Sequence, residues 1–359
     1  MFRIKRDPAR YSVAPWPGQL RRWVAPLNMS KLVLSLCLLA ILVPPDLYAQ
    51  PTGPCRLFYI EVNGKHGYID NLGKTIIEPK FDYGFDFNDG LAAIEVSNKW
   101  GYVDCTGRLV IPLQFSNGYY FSEGVARLEV NNKYGFIDRT GRLVVKPAFD
   151  STWQFSEGLA VVQQGHKYGY ADHDGNVVIP AKFDAAWDFA EGLAVVARGN
   201  HWSYIDRLGT VVLANKKFTA AYSFREGIAK VRVRDRWGFI DRTGSFVLAP
   251  QFVDEPTGFH EGLAVLSVDN GFDFIDKTGR VSVHVNFDEA APFSEGLALV
   301  REGRYPQAKY GYIDRTGALI IKPQFDIAWD FTDGIAMVMV DGKRGYINQA
   351  GEYIWTPTR

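Results

Sequence analysis

The chain has 359 residues, 47% of them hydrophobic and 14% aromatic, with no net formal charge at pH 7. That apolar content excludes disorder as a general state. Residues 1 to 49 carry seven Lys/Arg and two Asp, which leaves 33 basic against 38 acidic residues beyond them; an acidic remainder argues against a nucleic acid partner, which calls for a basic stripe.

The first segment reads as targeting rather than fold. Leu32 to Val43 is an apolar run preceded by Lys31 and followed by Pro44-Pro45. It is too short for a transmembrane helix of roughly 20 residues and fits the apolar region of a signal peptide. Cleavage after Ala49 is expected, and Met29 is the more compact start, giving an N-terminal extension and signal over 1–49 and a single array over 50–359. The chain is then exported, periplasmic or extracellular; the alternative is an inner-membrane anchor formed by an uncleaved 32–43. Cys55 and Cys105 lie beyond that segment. In an oxidising compartment they can pair across a loop of about 50 residues, worth about 4 kcal/mol in the chain-entropy picture.

From residue 57 onward one unit recurs. Its aspartate stands at Asp70, Asp104, Asp138, Asp172, Asp206, Asp241, Asp276 and Asp314, with Asn348 in the last copy, at spacings of 34, 34, 34, 34, 35, 35, 38 and 34. A period this regular means that each copy is one supersecondary unit and that the fold is their stacking. Within a copy, Tyr134-Gly135-Phe136-Ile137 and Leu143-Val144-Val145 have strand composition, and Asp138-Arg139-Thr140-Gly141 between them suits a type I turn with a bulge. A third strand, such as Leu159 to Val162, follows Glu157-Gly158. The unit is a three-stranded antiparallel meander. A connector follows, opened by proline at 79, 112, 147, 180, 250 and 323; the alternation of Phe183, Ala185, Trp187 and Phe189 leaves room for a short fourth strand.

Trp100-Gly101-Tyr102-Val103-Asp104 and Trp237-Gly238-Phe239-Ile240-Asp241, with Tyr-Gly in the same places at 134, 168 and 310, resemble the WG repeat family, also called KWG repeats. The resemblance covers roughly residues 57 to 355. It implies a mainly bacterial β-repeat protein with no established catalytic activity and no agreed ligand. Copies five to seven depart from the pattern: Trp202-Ser203 and Phe272-Asp273 lack the glycine, while Leu213 to Lys216 and Val283 to Asn286 lack the proline. The expected fold is all-β, an open solenoid-like stack of about nine meanders, because 34 residues is short for a four-stranded propeller blade and propellers usually hold four to eight blades. A closed propeller-like ring is the alternative, and contact between Leu57–Ile77 and Tyr346–Trp355 would decide for it.

Catalysis finds little support in the pattern. The acid before glycine in each connector (Asp89, Glu123, Glu157, Glu191, Glu226, Glu261, Glu295 and Asp333) occurs once per copy, as turn-making residues do, whereas a catalytic group is normally unique. A glycan hydrolase using such carboxylates is the alternative reading. The six histidines hold no fixed place in the unit. No catalytic residue, metal site or cofactor is expected, and the favoured role is a binding or scaffold module for a protein or a cell-envelope polysaccharide. Candidate ligand contacts are the aromatic series Phe85, Tyr119, Trp153, Trp187, Tyr222 and Trp329, some members of which adjoin Asp86, Asp188 and Asp330. Others are Arg301, Arg304 and Tyr305 on the inserted loop of the eighth copy. The aromatic series reads either as core or as an exposed platform.

Overall fold

The computed structural model describes residues 55–213 and 218–358; the expected signal segment, Leu32 to Val43, and Met29 lie outside them. Nine small antiparallel sheets follow one another along the chain. In the second, the strands Tyr83–Gly84, Leu91–Val96, Lys99–Asp104 and Leu109–Phe115 lie side by side in that order, and we call these positions A to D. The first sheet comprises B, C and D only, at Phe58–Val62, Lys65–Ile69 and Thr75–Phe81. Among the described residues six sheets have four strands and three have three, so the short fourth strand is a regular part of the unit.

The glycine and the proline of the repeat are two halves of one contact. Between Tyr68↔Ile77 and His66↔Phe81 the D strand carries two extra residues. This bulge lays the strand across the face of Gly67, where a methyl group would sit 2.5 Å from Ile77 O and 2.6 Å from Pro79 N. Proline suits the bulge because it has no N–H to leave unpaired. The seventh copy lacks both residues, and its ladder runs Phe272↔Val285, Asp273↔His284, Phe274↔Val283 without that bulge. The Asp-x-x-Gly turn forms as its composition predicts: Asp70 Oδ1 accepts the N–H groups of Leu72 and Lys74, and Gly73 takes the positive φ, 80°.

In the first, third, fourth and eighth blades the bulge brings the end of the D strand directly to the next sheet, so that Phe81, for example, is followed by Asp82 and then by strand A at Tyr83. This economy overturns the expectation of an open stack. Thirty-four residues are enough for a narrow four-stranded blade when the link between blades is a single residue. Core residues lie between neighbouring sheets: Tyr170, Ile179 and Phe183 of the fourth pack with Phe189, Val196 and Ile205 of the fifth. An open array would leave one such face bare at each end. Instead Ile60 and Ile69 of the first sheet pack with Ile335 and Tyr346 of the ninth, Tyr346 donates to Tyr59 O at 2.7 Å, and Arg56 pairs with Asp333 at 3.1 Å. The nine sheets form a closed propeller ring.

Three series of bonds join the blades. In the first, a buried C-strand tyrosine donates to a carbonyl of the next inner strand: Tyr68 to Phe85, Tyr102 to Tyr119, Tyr170 to Trp187, Tyr204 to Tyr222 and Tyr312 to Trp329, at 2.7 to 3.0 Å. Where the tyrosine is Phe136 or Phe239, a cation on strand B does the same one residue earlier: Arg127 donates to Thr152 O at 2.7 Å and Lys230 to Pro256 O at 2.8 Å. In the second, the turn acid of one blade accepts the glycine N–H of the next, from Asp89 to Gly124 through Glu295 to Gly334. The third runs through the aspartate that links two blades: Asp82 pairs with Lys65 behind it at 2.5 Å and accepts Ser97 N–H ahead at 2.7 Å. Finally, Cys55 is disulfide-bonded to Cys105 in the C–D turn of the second blade.

Replacing Tyr346 by Phe removes one buried bond at the closure, so Tyr346→Phe should cost about 1 kcal/mol in equilibrium denaturation. Amide exchange should accelerate first in Phe58–Val62 and Lys343–Asn348, whereas Tyr204→Phe should cost as much without loosening those strands. Gly169→Ala places a methyl 2.4 Å from Ile179 O, and should cost about 1–3 kcal/mol by the same measurement.

Candidate functional site

The aromatic series lies on or beside strand A: Trp153 is within Ser151–Ser156, Phe85, Trp187, Tyr222 and Trp329 directly follow Tyr83–Gly84, Ala185–Ala186, Ala220–Ala221 and Ile327–Ala328, and Tyr119 shortly precedes Phe121–Ser122. Its hydrogen bonds to strand B, such as Phe85 N to Ala93 O at 3.0 Å and Trp187 N to Val195 O at 2.9 Å, fix the backbone. In the fourth blade the strand bulges between Thr152 and Phe155, so that Trp153 and Gln154 face one stretch of the partner strand. A bulge re-aims side chains in this way, and it explains how a ring and a polar residue can stand side by side.

These positions face the axis of the ring, because their side chains sense residues two blades away, which is feasible only where blades converge. The Asp188 carboxylate of the fifth blade feels Arg127 of the third. Asp86 of the second feels Arg344 of the ninth, and Tyr120 of the third feels Tyr59 of the first. Burial outweighs the guanidinium in both aspartates and pushes each carboxyl up to about 6; Asp330 is raised by burial too. Asp86 and Asp330 nonetheless keep exposed faces, so the surrounding protein crowds them without sealing them off.

The aromatic series is neither fully core nor fully exposed. Phe85, Tyr119, Trp153, Trp187 and Tyr222 are half-buried and Trp329 is 39% exposed. Consecutive members meet at Trp153 and Trp187, whose centroids are 5.4 Å apart. Elsewhere each ring leans on the aromatic of its own Trp-Gly or Tyr-Gly motif: Phe85 on Trp100 at 5.2 Å, Trp187 on Trp202 at 6.4 Å, Tyr222 on Trp237 at 6.0 Å and Tyr119 on Tyr134 at 6.5 Å. Sequence reasoning missed this second row, although the motif marks it in the second to eighth copies, from Trp100 to Tyr310; His66 and Arg344 hold the place in the first and ninth. Beside the tryptophan pair, Trp187 Nε1, Asp188 Oδ1 and Arg127 Nε are buried and have no hydrogen-bond partner among the described residues. Unmet polar groups of this kind cost about 1–3 kcal/mol each.

The inserted loop is separate. Arg301 pairs with Glu289 at 3.0 Å and also donates to Gly303 O, while Tyr305 bonds Tyr310 at 3.1 Å. These contacts stay within the eighth blade and leave Arg304 and Tyr305 exposed. Seven of the eight turn acids hold the next blade's glycine N–H, and the eighth, Asp333, pairs with Arg56. Among the described residues no cluster of His, Cys, Asp and Glu could hold a metal ion.

The family model for the WG containing repeat matches eight times, at residues 67–100, 100–134, 134–168, 168–200, 202–237, 237–272, 274–304 and 310–343. The chain belongs to the WG repeat family. No curated protein matches it. Among solved structures, it is similar to one described as the eukaryotic initiation factor, with a TM-score of 0.59 and 11% identity over 83% of this chain and 94% of that one; at that identity the likeness shows the propeller fold alone. A dihydro-heme d1 dehydrogenase, NirN, aligns with a TM-score of 0.47 and 14% identity over 85% of this chain and 78% of that one.

Half-buried indoles should cost less than core rings when truncated. Trp153→Ala and Trp187→Ala are each expected to lose about 2 kcal/mol in chemical denaturation, below the 3–5 kcal/mol of a fully buried ring. Because its pKa lies above the ordinary carboxylate value, Asp188 binds its proton more tightly in the folded than in the unfolded chain. Its ionisation therefore erodes stability as pH rises from about 4 to about 6, and Asp188→Asn should flatten that part of the stability profile.

Proposed function

We propose that the protein is an exported, non-catalytic binding module that holds a cell-envelope glycan against the inner face of the ring, across Trp153 and Trp187. The observation that carries this reading is the tryptophan pair beside two buried donors and one buried acceptor that lack partners. Sugar rings present apolar faces to indoles and hydroxyls that both give and accept hydrogen bonds, so a saccharide matches both features at once. Export is supported by the apolar run Leu32 to Val43 and by the Cys55–Cys105 bond, since such bonds persist in oxidising compartments.

A second reading, a protein partner, rests on the eighth-blade loop, where Tyr305 is 61% exposed next to exposed Arg304. A loop on a rigid scaffold is a common place for recognition. The glycan reading is preferred because the loop's other contacts close on its own blade. The hydrolase alternative is disfavoured because its carboxylates hold the ring together.

Co-sedimentation with purified cell-wall polysaccharide tests the reading. Trp153→Ala and Trp187→Ala should remain folded and each lose about tenfold or more in affinity, the equivalent of 1.4 kcal/mol, while deletion of Tyr305 to Ala308 should leave it unchanged. Retained binding in both tryptophan variants would exclude the inner face. N-terminal sequencing of secreted material should begin at Gln50.

A further inference from the structure

Where the ninth blade meets the first and second, the inner face carries another aromatic group that the glycan reading does not use. Tyr59 and His66 of the first blade lie 6.0 Å apart and nearly parallel. The His66 ring is 4.8 Å from Tyr83, which is 5.4 Å from Phe85 and 5.9 Å from Trp100. Phe85 in turn lies 5.0 Å from Tyr120 of the third blade. The rings thus run without a break across three blades.

Asp86 directly follows Phe85 in the chain and has an exposed face. The titratable and charged groups around its carboxylate are Arg344 and Tyr346 of the ninth blade, Tyr59 and Tyr68 of the first, and Tyr120 of the third, with Tyr83 on its own strand and Glu61 beside Tyr59. Several are already engaged. Tyr68 bonds Phe85 O and Tyr346 bonds Tyr59 O. Arg344 lies over the Tyr59 ring, 4.3 Å from its centroid, and its Nε and Nη1 are buried without a hydrogen-bond partner among the described residues. Only 6% of His66 is exposed, and its Nδ1 lacks a partner among the described residues; burial pushes this imidazole down from its ordinary value, toward the neutral form.

We propose that Asp86, with the rings of Tyr59, Tyr83 and Tyr120, forms a binding site for an organic ammonium group. The carboxylate supplies the counter-charge and the rings supply negative π faces, the combination that attracts quaternary and substituted ammonium ions. Arg344 on Tyr59 shows a cation already held by one of these faces. A metal ion is disfavoured, because no cluster of three ligands exists among the described residues. An anion would meet the Asp86 charge in a desolvated setting. The site lies apart from Trp153 and Trp187 and does not depend on what binds there.

Protonation gives the site a direction in pH. Crowding raises the Asp86 carboxyl to about 6, so the binding form is present above that value and is lost as pH falls through it. The surrounding tyrosines Tyr59, Tyr68, Tyr120 and Tyr346 are all raised from their ordinary values, so none adds charge near neutrality.

The test is titration of the secreted full chain with choline and with tetramethylammonium, followed by calorimetry and by tryptophan fluorescence. The uncharged isostere 3,3-dimethylbutan-1-ol serves as control. Both cations should bind saturably at pH 7.5, with the isostere about tenfold weaker or more, and affinity should fall by up to about tenfold per pH unit below about 6. Asp86→Asn should lose about tenfold or more, and Asp174→Asn, a substitution at an exposed turn of the fourth blade, should bind as the parent does. Tyr83→Ala at a 44% exposed position gives a second variant, expected to weaken both cations with little loss of melting temperature. The proposal is overturned if neither cation binds saturably, if the isostere binds as well, or if folded Asp86→Asn retains the parent affinity.

Discussion

The ring depends on a hydrogen bond donated by one blade to the innermost backbone of the next. The donor is buried and its acceptor is a carbonyl, so leaving either unmet would cost more than the bond itself contributes. Selection for the bond therefore acts on the donor side chain, and the chain meets the need in two ways. Tyrosine supplies it at Tyr68, Tyr102, Tyr170, Tyr204, Tyr312 and Tyr346. Where Phe136 and Phe239 stand instead, Arg127 and Lys230 reach over from the adjacent strand; the seventh blade has Phe274 here with Val265 opposite, and its joint is apolar. Lys230 is the one buried lysine among the described residues, and its charge is balanced by Glu255 at 2.6 Å and by the Tyr222 ring at 4.1 Å. A cation that looks like a functional oddity in one copy is thus the substitute for a missing hydroxyl.

Closure uses the same bond once more, with one difference. In the other blades, strand B offers alternate carbonyls to strand A: Glu95 O accepts from Asp82 N, and Ala93 O from Phe85 N. Tyr59 occupies the place of Ala93 in the first blade, and its carbonyl accepts the Tyr346 hydroxyl. The seam is therefore held by a side chain where the remaining joints are reinforced by an inner strand, with Ile60, Ile69, Ile335 and Tyr346 burying the apolar faces behind it. Nine blades close without exchanging a strand because each is narrow and the links are short, a single residue between Phe81 and Tyr83, Phe149 and Ser151, Phe183 and Ala185, and Phe325 and Ile327.

Much of this architecture was legible in the repeat. The turn chemistry, the strand order within a meander and the structural role of the connector acids all follow from residues whose reasons are local, such as Asp70 with Gly73. Closure was not legible, because no residue marks it; it follows from apolar faces that must find a partner at both ends. The paired loss of glycine and proline in the seventh copy was visible as an irregularity, but its cause, a strand lying across the glycine, needs coordinates. The aromatic series was found and its surroundings were not. Period-two spacing cannot reveal that Trp187 stands beside Trp153 of the previous blade while Arg127, two blades back, faces Asp188.

The inner strand divides its work between backbone and side chain, and this division makes a variable binding face compatible with a repetitive ring. Phe85, Tyr119, Trp187, Tyr222 and Trp329 each give a neighbour their carbonyl, a group that every residue type carries. Their side chains are released from that duty and remain half-buried or exposed. Substitution at these positions leaves the backbone acceptor in place, because it belongs to the main chain. The joints themselves rest on other side chains: the C-strand tyrosine or the cation that stands in for it, and the turn acid. Differences between copies can therefore accumulate on the axis-facing strand at low structural cost, and it is there that rings, carboxylates and unpaired polar atoms gather.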